Sequence, residues 1–420
     1  MTEVGAAAAG AGLPNRWLVL FLLLLVAVLN YADRYLMAGL AQVLKQTFAL
    51  SDTMLGVLLG PAFAVLYIIA GVPIARLADR GSRLAVACLG CLAWSLFTLL
   101  TALATGPAGL VLARVGVGIG EAAYQAPVAA LVAAYFPLAE RGRAFAALTT
   151  AVYLGQLCGL AGGPAMAQVA GWRMPFVVLG ASGIVVAALA YAVIREPART
   201  AKMHQEPLAP LAARLGRTAC WWQLTLGLAL GSLSGMSFGL WATALFERAY
   251  HLSNKAAGAA FGVPSGLSGL VGTVLFGVIA DRLARRDPAA PLRLAALALG
   301  AATTTIIVTT WAPSVGLAQL MALPSGLLGG GWSVAVLAGF QALLPDRMRA
   351  AGTALALAVV GLMASVVGPW LTGWLSDALG AGVIGLRLAL SLIIPTGLVG
   401  ALALWRASVN LGPDRERLAG

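Results

Sequence analysis

The chain has 420 residues, of which 60% are hydrophobic and only 10% are charged. Soluble globular domains usually carry about 25% charged residues, so the composition excludes an ordinary soluble enzyme or binding domain. The formal net charge of +12 suggests an anionic partner, but the placement of the basic residues argues for the lipid bilayer and against nucleic acid.

Apolar stretches long enough to cross a membrane recur along the whole chain. Crossing the hydrocarbon core takes about 20 apolar residues, and in lipid the segment must be helical to satisfy its own backbone. Twelve segments qualify: 17–40, 53–75, 83–105, 107–135, 143–168, 174–194, 221–246, 255–281, 291–312, 314–344, 349–375 and 381–407. The first is longer than the apolar core of a signal peptide and lacks its basic leader, so we expect it to be a membrane helix.

Lysine and arginine are distributed unevenly between the two sets of connecting loops. Of the 27 basic residues, we place twenty on the side of the N-terminus, five on the opposite side and two within the membrane segments. Because basic residues accumulate on the cytoplasmic side, this predicts a multi-pass protein of the plasma (inner) membrane with both termini cytoplasmic. We expect it to be monomeric.

The two halves of the chain repeat each other. The second segment ends in Asp79-Arg80 and the eighth in Asp281-Arg282, while the fifth carries Gly163-Pro164 and the eleventh Gly368-Pro369. The longest connection, 195–220, is polar and separates six segments from six. We therefore predict an N-terminal bundle over 1–194, a cytoplasmic central loop over 195–220 and a C-terminal bundle over 221–420.

Several motifs make the family resemblance specific. The pattern G-x-x-x-D-R-x-x-R-R at 277–286 resembles the loop signature of the major facilitator superfamily, although the first-half copy has Ala75 where the family usually has glycine. The stretches 30–35, 114–124 and 195–197 are similar to the spinster-like branch, whose members export sphingolipids and lysolipids. The resemblance implies an all-α membrane protein whose twelve helices form two pseudo-symmetric six-helix bundles, and transport by alternating access.

Four ionisable side chains lie deep in the predicted membrane segments: Asp33, Arg34, Arg114 and Glu121. Placing one there costs about 2.5–3.5 kcal/mol, so such residues are functional by default. Arg114 and Glu121 share one helix face, and the helical rise puts Asp33 at a depth between them. Arg34 points about 100° away from Asp33, so the two cannot face one partner.

These four residues are the predicted proton-coupling and headgroup site. Desolvation favours the neutral form of a carboxyl group and a nearby arginine favours the ionised form, so a helix motion that changes either effect loads or releases a proton. We expect Asp33 and Glu121 to titrate and Arg114 to control when they do. A structural ion pair that locks two helices is the alternative.

The predicted cavity has unequal walls. The repeat places Gly235 opposite Asp33 and Gly329 opposite Glu121, so the second half lacks charges there. We assign the cavity and substrate contacts to the following residues: Tyr31, Tyr124, Met236, Phe238, Trp241, Trp332 and Phe340. A charged wall facing an aromatic one suits an amphiphile whose headgroup meets the first half and whose tail meets the second. Ordinary helix packing is the alternative for these aromatic residues.

Charged residues at the loops after the second, fourth and eighth segments form a predicted cytoplasmic gate. They are Asp79, Arg80, Arg83, Arg141, Arg143, Asp281 and Arg282. Charge pairs between the halves at this end would hold it closed while the opposite end opens. Topology anchoring at the membrane surface is the alternative.

No cofactor is predicted beyond protons as the coupling ion. The sequence has no P-loop, no metal-ligand cluster and no catalytic constellation, so we expect no enzyme, and Gly116–Gly120 lacks the strand that a nucleotide loop needs. The leading hypothesis is a proton-coupled exporter of an amphiphilic lipid, sphingolipid-like or lysophospholipid-like. A proton-coupled drug or organic-anion antiporter is the alternative, and a receptor that binds ligand without flux is a hypothesis of a different class.

Overall fold

The computed structural model describes residues 14–197 and 208–419, and within these ranges it contains helices and no strands. In this part of the chain, twelve helices are long and apolar enough to cross a membrane. In chain order, α1–α12 are Arg16–Gly39, Asp52–Arg80, Arg83–Ala102, Pro107–Tyr135, Glu140–Ala170, Arg173–Val193, Ala219–Tyr250, Asn254–Ala284, Ala290–Trp311, Val315–Leu343, Ala351–Ala378 and Gly382–Leu418. This confirms the predicted fold class and an integral membrane protein that crosses the bilayer many times.

Some of these helices are composite. Their parts, which in α5, α11 and α12 extend a few residues beyond the membrane spans given above, are Asp52–Leu59 and Pro61–Arg80 in α2, Pro107–Glu121 and Gln125–Tyr135 in α4, Leu138–Leu157 and Gly163–Ala170 in α5, Asp346–Gly361 and Gly368–Ala378 in α11, and Gly382–Ile393 and Thr396–Ala419 in α12. A short helix, Ala41–Phe48, joins α1 to α2, and another, Leu208–Gly216, precedes α7. The second short helix buries Leu211 and Leu215 in the core of the second half.

Local signals repeat between the halves and explain why corresponding helices begin at corresponding places. Ser51 and Ser253 each accept a hydrogen bond from the backbone N–H three residues on, at 3.1 Å and 3.3 Å, and so cap α2 and α8. Two residues before each cap, Ala49 and His251 have positive φ angles of 49° and 52°. Serine satisfies N–H groups that the first helical turn leaves unpaired.

Both halves also widen one helix into a π turn before a Gly-Pro pair. The turns are Cys158–Gly162, ahead of Gly163-Pro164, and Leu362–Val367, ahead of Gly368-Pro369. Proline has no N–H to donate to the preceding turn, which is one of the established causes of an interrupted helix ladder. The two helices that carry these interruptions, α5 and α11, both lie where the halves meet.

We call the end of the bundle at which α2 begins the Asp52 end, and the opposite end the Asp79 end. Close packing joins the halves along α5–α8 and α2–α11, starting at the Asp52 end. A Cβ on Gly258 would collide with the carbonyl oxygen of Leu160, and one on Gly56 would lie 2.6 Å from that of Pro369. These contacts reach inward as far as Tyr153, whose ring lies on Gly269.

Candidate functional site

Two ion pairs lie inside the first half, where α1 meets α3 and α4. Arg114 Nη1 donates to Asp33 Oδ2 at 2.6 Å, and Arg34 Nε donates to Glu121 Oε2 at 2.7 Å. Thr98 on α3 donates its hydroxyl to the other oxygen of Asp33, also at 2.7 Å. Asp33, Arg114 and Glu121 are 2% exposed or less, so the protein interior, not lipid, surrounds them. We call Asp33, Arg34, Arg114 and Glu121 the buried tetrad.

Neighbouring residues on α1 supply opposite charges to the two pairs. Asp33 and Arg34 project about 100° apart, so each meets a different residue of α4. Arg114 and Glu121 are seven residues apart and lie on one face of α4, two turns from each other. The four charges cancel, which lowers the cost of burying them.

Aromatic rings on α1 and α2 cover the two arginines. Phe63 lies 4.6 Å from the guanidinium carbon of Arg34 and 5.4 Å from that of Arg114, measured from its ring centroid. Tyr31 and Tyr67 lie 5.5 Å and 5.1 Å from the Arg34 guanidinium carbon. Cation–π contacts are worth about 0.5–2 kcal/mol each, so Phe63 helps to fix both arginines.

The tetrad retains unused hydrogen-bonding capacity. Glu121 Oε1 and Arg114 Nε have no hydrogen-bond partner among the described residues, and neither does the side chain of Asn30, which is 1% exposed. Arg34 is the most exposed member, with 14% of its side chain accessible. Access to the tetrad therefore runs past Arg34, and Glu121 has an oxygen free to hold a proton.

A separate cavity of about 370 Å³ lies between the halves. The first half contributes Tyr35, Val152, Tyr153 and Gln156 to its wall. The second half contributes hydroxyl groups and large apolar side chains, namely Ser232, Ser234, Met236, Phe238, Phe261, Ser265, Thr303, Ser325, Trp332, Ser333 and Ser365. No charged side chain belongs to this lining in the described part of the chain. We call it the central cavity.

The lining of the central cavity differs from the two walls predicted from the sequence. Met236, Phe238 and Trp332 line it, and Tyr31 lies beside Arg34. The first-half wall, however, is not charged, because the tetrad is turned into the interior of the first half. The second-half wall is more polar than expected, because six serines and Thr303 line it together with Met236, Phe238 and Trp332.

Four residues assigned to the cavity from the sequence do not line it, and these assignments are corrected. Tyr31 contacts Arg34 instead, one turn along α1 from Tyr35, which does line the cavity. Tyr124 is packed inside the first half and donates its hydroxyl to the Leu23 carbonyl at 2.9 Å. Trp241 is fully buried and donates its indole N–H to the Pro369 carbonyl at 3.1 Å. Phe340 is fully buried in the core of the second half. The side chains of Tyr124, Trp241 and Phe340 therefore lie in the packed core and not on the helix face that lines the cavity.

A third charged cluster joins the halves at the Asp52 end, and the sequence analysis missed it. Asp52 is fully buried and accepts hydrogen bonds from both terminal nitrogens of Arg248, at 2.7 Å and 2.6 Å. Lys45 also pairs with Asp52, and Ser376 donates its hydroxyl to it at 2.7 Å. Asp52 belongs to the first half, whereas Arg248 and Ser376 belong to the second. We call these four residues the Asp52 cluster.

A carboxylate of the second half also caps a helix of the first. Asp377 accepts the backbone N–H groups of Asp52 and Thr53 at 3.1 Å and 2.7 Å, together with the Thr53 hydroxyl at 2.6 Å. An acidic group at a helix N-terminus satisfies unpaired N–H groups and meets the positive end of the helix dipole. The Asp52 end is therefore held closed by polar bonds between the halves.

The residues predicted to form a gate occupy the other end. Asp79, Arg80, Arg143, Asp281 and Arg282 are exposed there, and Arg83 is half-buried. Arg141 instead donates to the carbonyl oxygens of Ala133 and Phe136, at 2.7 Å and 3.0 Å, and so fixes the end of α4 within its own half. The function of the other six as a gate stays a prediction.

Comparison with known proteins identifies the family to which this architecture belongs. The Major Facilitator Superfamily profile matches residues 23–366. An MFS-type efflux pump of Mycolicibacterium smegmatis is 34% identical, with 96% of this chain and 95% of that protein covered. Protein spinster homolog 1 of Homo sapiens is 26% identical, with 95% and 82% covered.

A solved structure matches along nearly the whole chain. It is that of a bacterial homolog to the human lysosomal transporter Spinster in an inward-facing, unoccupied conformation, with a TM-score of 0.81, 26% identity, and 96% and 98% of the two chains covered. The chain thus belongs to the Major Facilitator Superfamily, and is a spinster-like membrane transporter rather than an enzyme.

Proposed function

We propose that the protein is a proton-coupled exporter of an amphiphilic, lipid-like molecule that works by alternating access. The observation that carries the proposal is the juxtaposition, in one bundle, of a buried titratable tetrad and an uncharged cavity between the halves. Tyr35, on the cavity wall, adjoins Arg34 along α1. A displacement of α1 therefore reaches both sites at once.

The cavity lining supports an amphiphilic substrate. Phe238, Phe261, Trp332 and Met236 offer apolar surface, while Gln156 and the serines offer hydrogen bonds. A purely apolar substrate would leave these polar groups unsatisfied, and burying an unsatisfied polar group is costly. The relative named an MFS-type efflux pump supports export as the direction of transport.

The tetrad supports protons as the coupling ion. Asp33 is held on both oxygens, by Arg114 and Thr98, whereas Glu121 has one oxygen unbonded. Protonation of either carboxyl group would weaken its ion pair and release an arginine. Because both pairs cross between α1 and α4, their loss would free these helices to move relative to each other.

The arginine-rich Asp79 end supports a cytoplasmic location for that end and for both termini, by the positive-inside rule. With the Asp52 end closed, this orientation corresponds to a cavity that communicates with the cytoplasm. The plasma membrane remains the proposed location.

Flux measurement tests the function directly. Purified protein in proteoliposomes would be given a radiolabelled lysolipid and a pH difference imposed across the membrane. We expect saturable flux that requires the gradient, is inhibited by unlabelled lysolipid and is unaffected by a sugar. Asp33→Asn is the uncoupled control. Gradient-independent flux would overturn proton coupling, and binding without flux would make the protein a receptor.

Drug export is the second candidate, favoured by the similarity to the efflux pump. The same vesicles separate it from lipid export, since a drug substrate would compete with the lysolipid or be moved in its place. Competition by a sugar alone would contradict both candidates.

A further inference from the structure

Four of the serine and threonine hydroxyl groups that line the central cavity donate their proton to a backbone carbonyl oxygen, at distances between 2.5 Å and 3.0 Å, namely Ser234, Ser265, Thr303 and Ser325. A hydroxyl group has a single proton. Once that proton is donated to the backbone, only oxygen lone pairs remain for a ligand.

Gln156 extends this pattern on the first-half side. Its Nε2 donates to Ser265 Oγ at 2.9 Å, across the interface between the halves. Among the described residues no hydrogen bond reaches its carboxamide oxygen, and Gln156 itself is 7% exposed at the cavity wall. The Gln156–Ser265 pair therefore adds another acceptor where the two halves meet.

Aromatic faces complete the electrostatic character of the site. Phe238, Phe261 and Trp332 line the cavity around these acceptors. The face of an aromatic ring carries partial negative charge and attracts cations. Oxygen lone pairs and ring faces both favour a positively charged group or a strong hydrogen-bond donor.

An anionic group would find no positive charge to compensate it in the same place. No lysine or arginine lines the cavity in the described part of the chain. The arginine nearest to it along the sequence, Arg34 beside Tyr35, is bound to Glu121 at 2.7 Å. Removing an unpaired carboxylate or phosphate from water into such a site is strongly unfavourable.

We infer that the central cavity selects an ammonium-bearing amphiphile, with the ammonium group near the Gln156–Ser265 pair and the apolar body against the aromatic residues. This deepens the proposed function and rests on it for the placement of the substrate in this cavity. It distinguishes among the candidate substrates, since it rejects organic anions.

A matched pair of probes tests the charge preference without requiring transport. Tritiated dodecylammonium and dodecanesulfonate have equal chain lengths and opposite charges. Their equilibrium binding would be measured on the full chain in nanodiscs of neutral lipid, with binding to empty nanodiscs subtracted. We expect saturable binding of dodecylammonium about tenfold or more tighter than that of dodecanesulfonate, the scale of one desolvated cation–π contact.

Substitutions at Gln156 locate the site. Gln156→Glu adds a negative charge and should strengthen dodecylammonium binding by about tenfold, since hydrogen bonds between ions are the stronger kind. Gln156→Leu removes the acceptor and should weaken it. Gln319→Leu, on an exposed face of α10 outside the cavity, is the matched control and should leave binding unchanged.

Equal binding of the two probes, preference for dodecanesulfonate or absence of saturable binding would each overturn the inference. Unchanged preference in both Gln156 variants would place the amine elsewhere and overturn it as well. The failure of the proposed function looks different: dodecylammonium would bind as expected, but no substrate would cross the proteoliposome membrane.

Discussion

The buried tetrad and the Asp52 cluster both consist of buried ion pairs, but they connect different parts of the molecule. The tetrad pairs α1 with α4 inside the first half, whereas the Asp52 cluster pairs the first half with the second. If the halves move as units in alternating access, only the Asp52 cluster must break in every cycle. Ion pairs buried within one half can therefore respond to protonation, whereas ion pairs buried between the halves determine which end of the protein is closed.

The largest effect on transport is expected at the buried tetrad, where we propose that protons bind. Asp33→Asn replaces a titratable carboxyl group with a neutral amide that still accepts a hydrogen bond. A pH difference of two units supplies roughly 2.7 kcal/mol, which supports about a 100-fold accumulation of substrate per coupled proton. We expect the variant to lose this accumulation in proteoliposomes.

A conformational measurement separates this loss from misfolding. Spin-label distances across the Asp79 end should change with pH in the parent protein and stay constant in Asp33→Asn. Glu416→Gln, which neutralises an exposed carboxylate at the same end outside the predicted gate, should retain the pH response. An unaltered response in Asp33→Asn would remove Asp33 from the coupling mechanism.

The next effect concerns the closed end. Arg248→Leu removes the guanidinium group that bonds both oxygens of Asp52 and leaves that buried carboxylate with Lys45. Truncating one partner of a buried charge pair costs about 2–5 kcal/mol. We expect the population to shift toward molecules open at the Asp52 end, measured by spin-label distances across that end.

Arg387 provides the control for Arg248. It lies at the same end but contacts Trp311 and the Ala312 carbonyl within the second half. Arg387→Leu should leave the distances between the halves unchanged. If both substitutions open the end equally, the effect would belong to the surface charge and not to the Asp52 cluster.

A smaller shift toward molecules open at the Asp52 end is expected when Gly258, at the α5–α8 contact, is replaced. Gly258→Ala introduces a methyl group against the Leu160 carbonyl, where no space exists, whereas a Cβ on Gly277 would meet nothing within 4 Å. Overpacking typically costs about 1–3 kcal/mol. Accessibility of a cysteine placed at the Asp52 end should increase in Gly258→Ala and not in Gly277→Ala; equal accessibility would show that this contact tolerates separation.

The smallest effect should come from the ring between the two arginines. Phe63→Leu keeps an apolar side chain but removes the face that lies over Arg34 and Arg114. The loss should be about 1–2 kcal/mol and should lower the thermal midpoint while retaining proton-driven flux. Phe145→Leu, on an exposed ring, should change the midpoint less. A midpoint unchanged by Phe63→Leu would mean that the ion pairs alone hold the arginines.

Much of this site could be predicted from residue type and helix geometry. Asp33, Arg34, Arg114 and Glu121 stand out because charge is rare in membrane segments, and the 100° rotation per residue separates the partners of Asp33 and Arg34. The Asp52 cluster could not be recognised in this way. Lys45, Asp52 and Arg248 lie at helix ends, where charged residues are common in any membrane protein.

The residues that line the cavity could likewise be predicted only in part. Aromatic residues at suitable depth were assigned to it, but Trp241 and Phe340 pack into the interior while Ser265 and Ser325 face the cavity. Depth along a helix follows from the sequence, since the rise per residue is constant. The direction of each face depends on the neighbours that the helix finds, and α8 and α10 are apolar on nearly every side.

The sequence by itself determined that the protein crosses the membrane with twelve helices, that its halves are duplicates and that the charges deep in its membrane segments belong to the first half, because hydropathy, repeated motifs and rare charges are local properties of the chain. Only the tertiary structure decided which charges pair, which end is closed and which side chains line the cavity. These depend on contacts between residues such as Asp52 and Arg248, which are 196 positions apart, and no local pattern encodes such a distance.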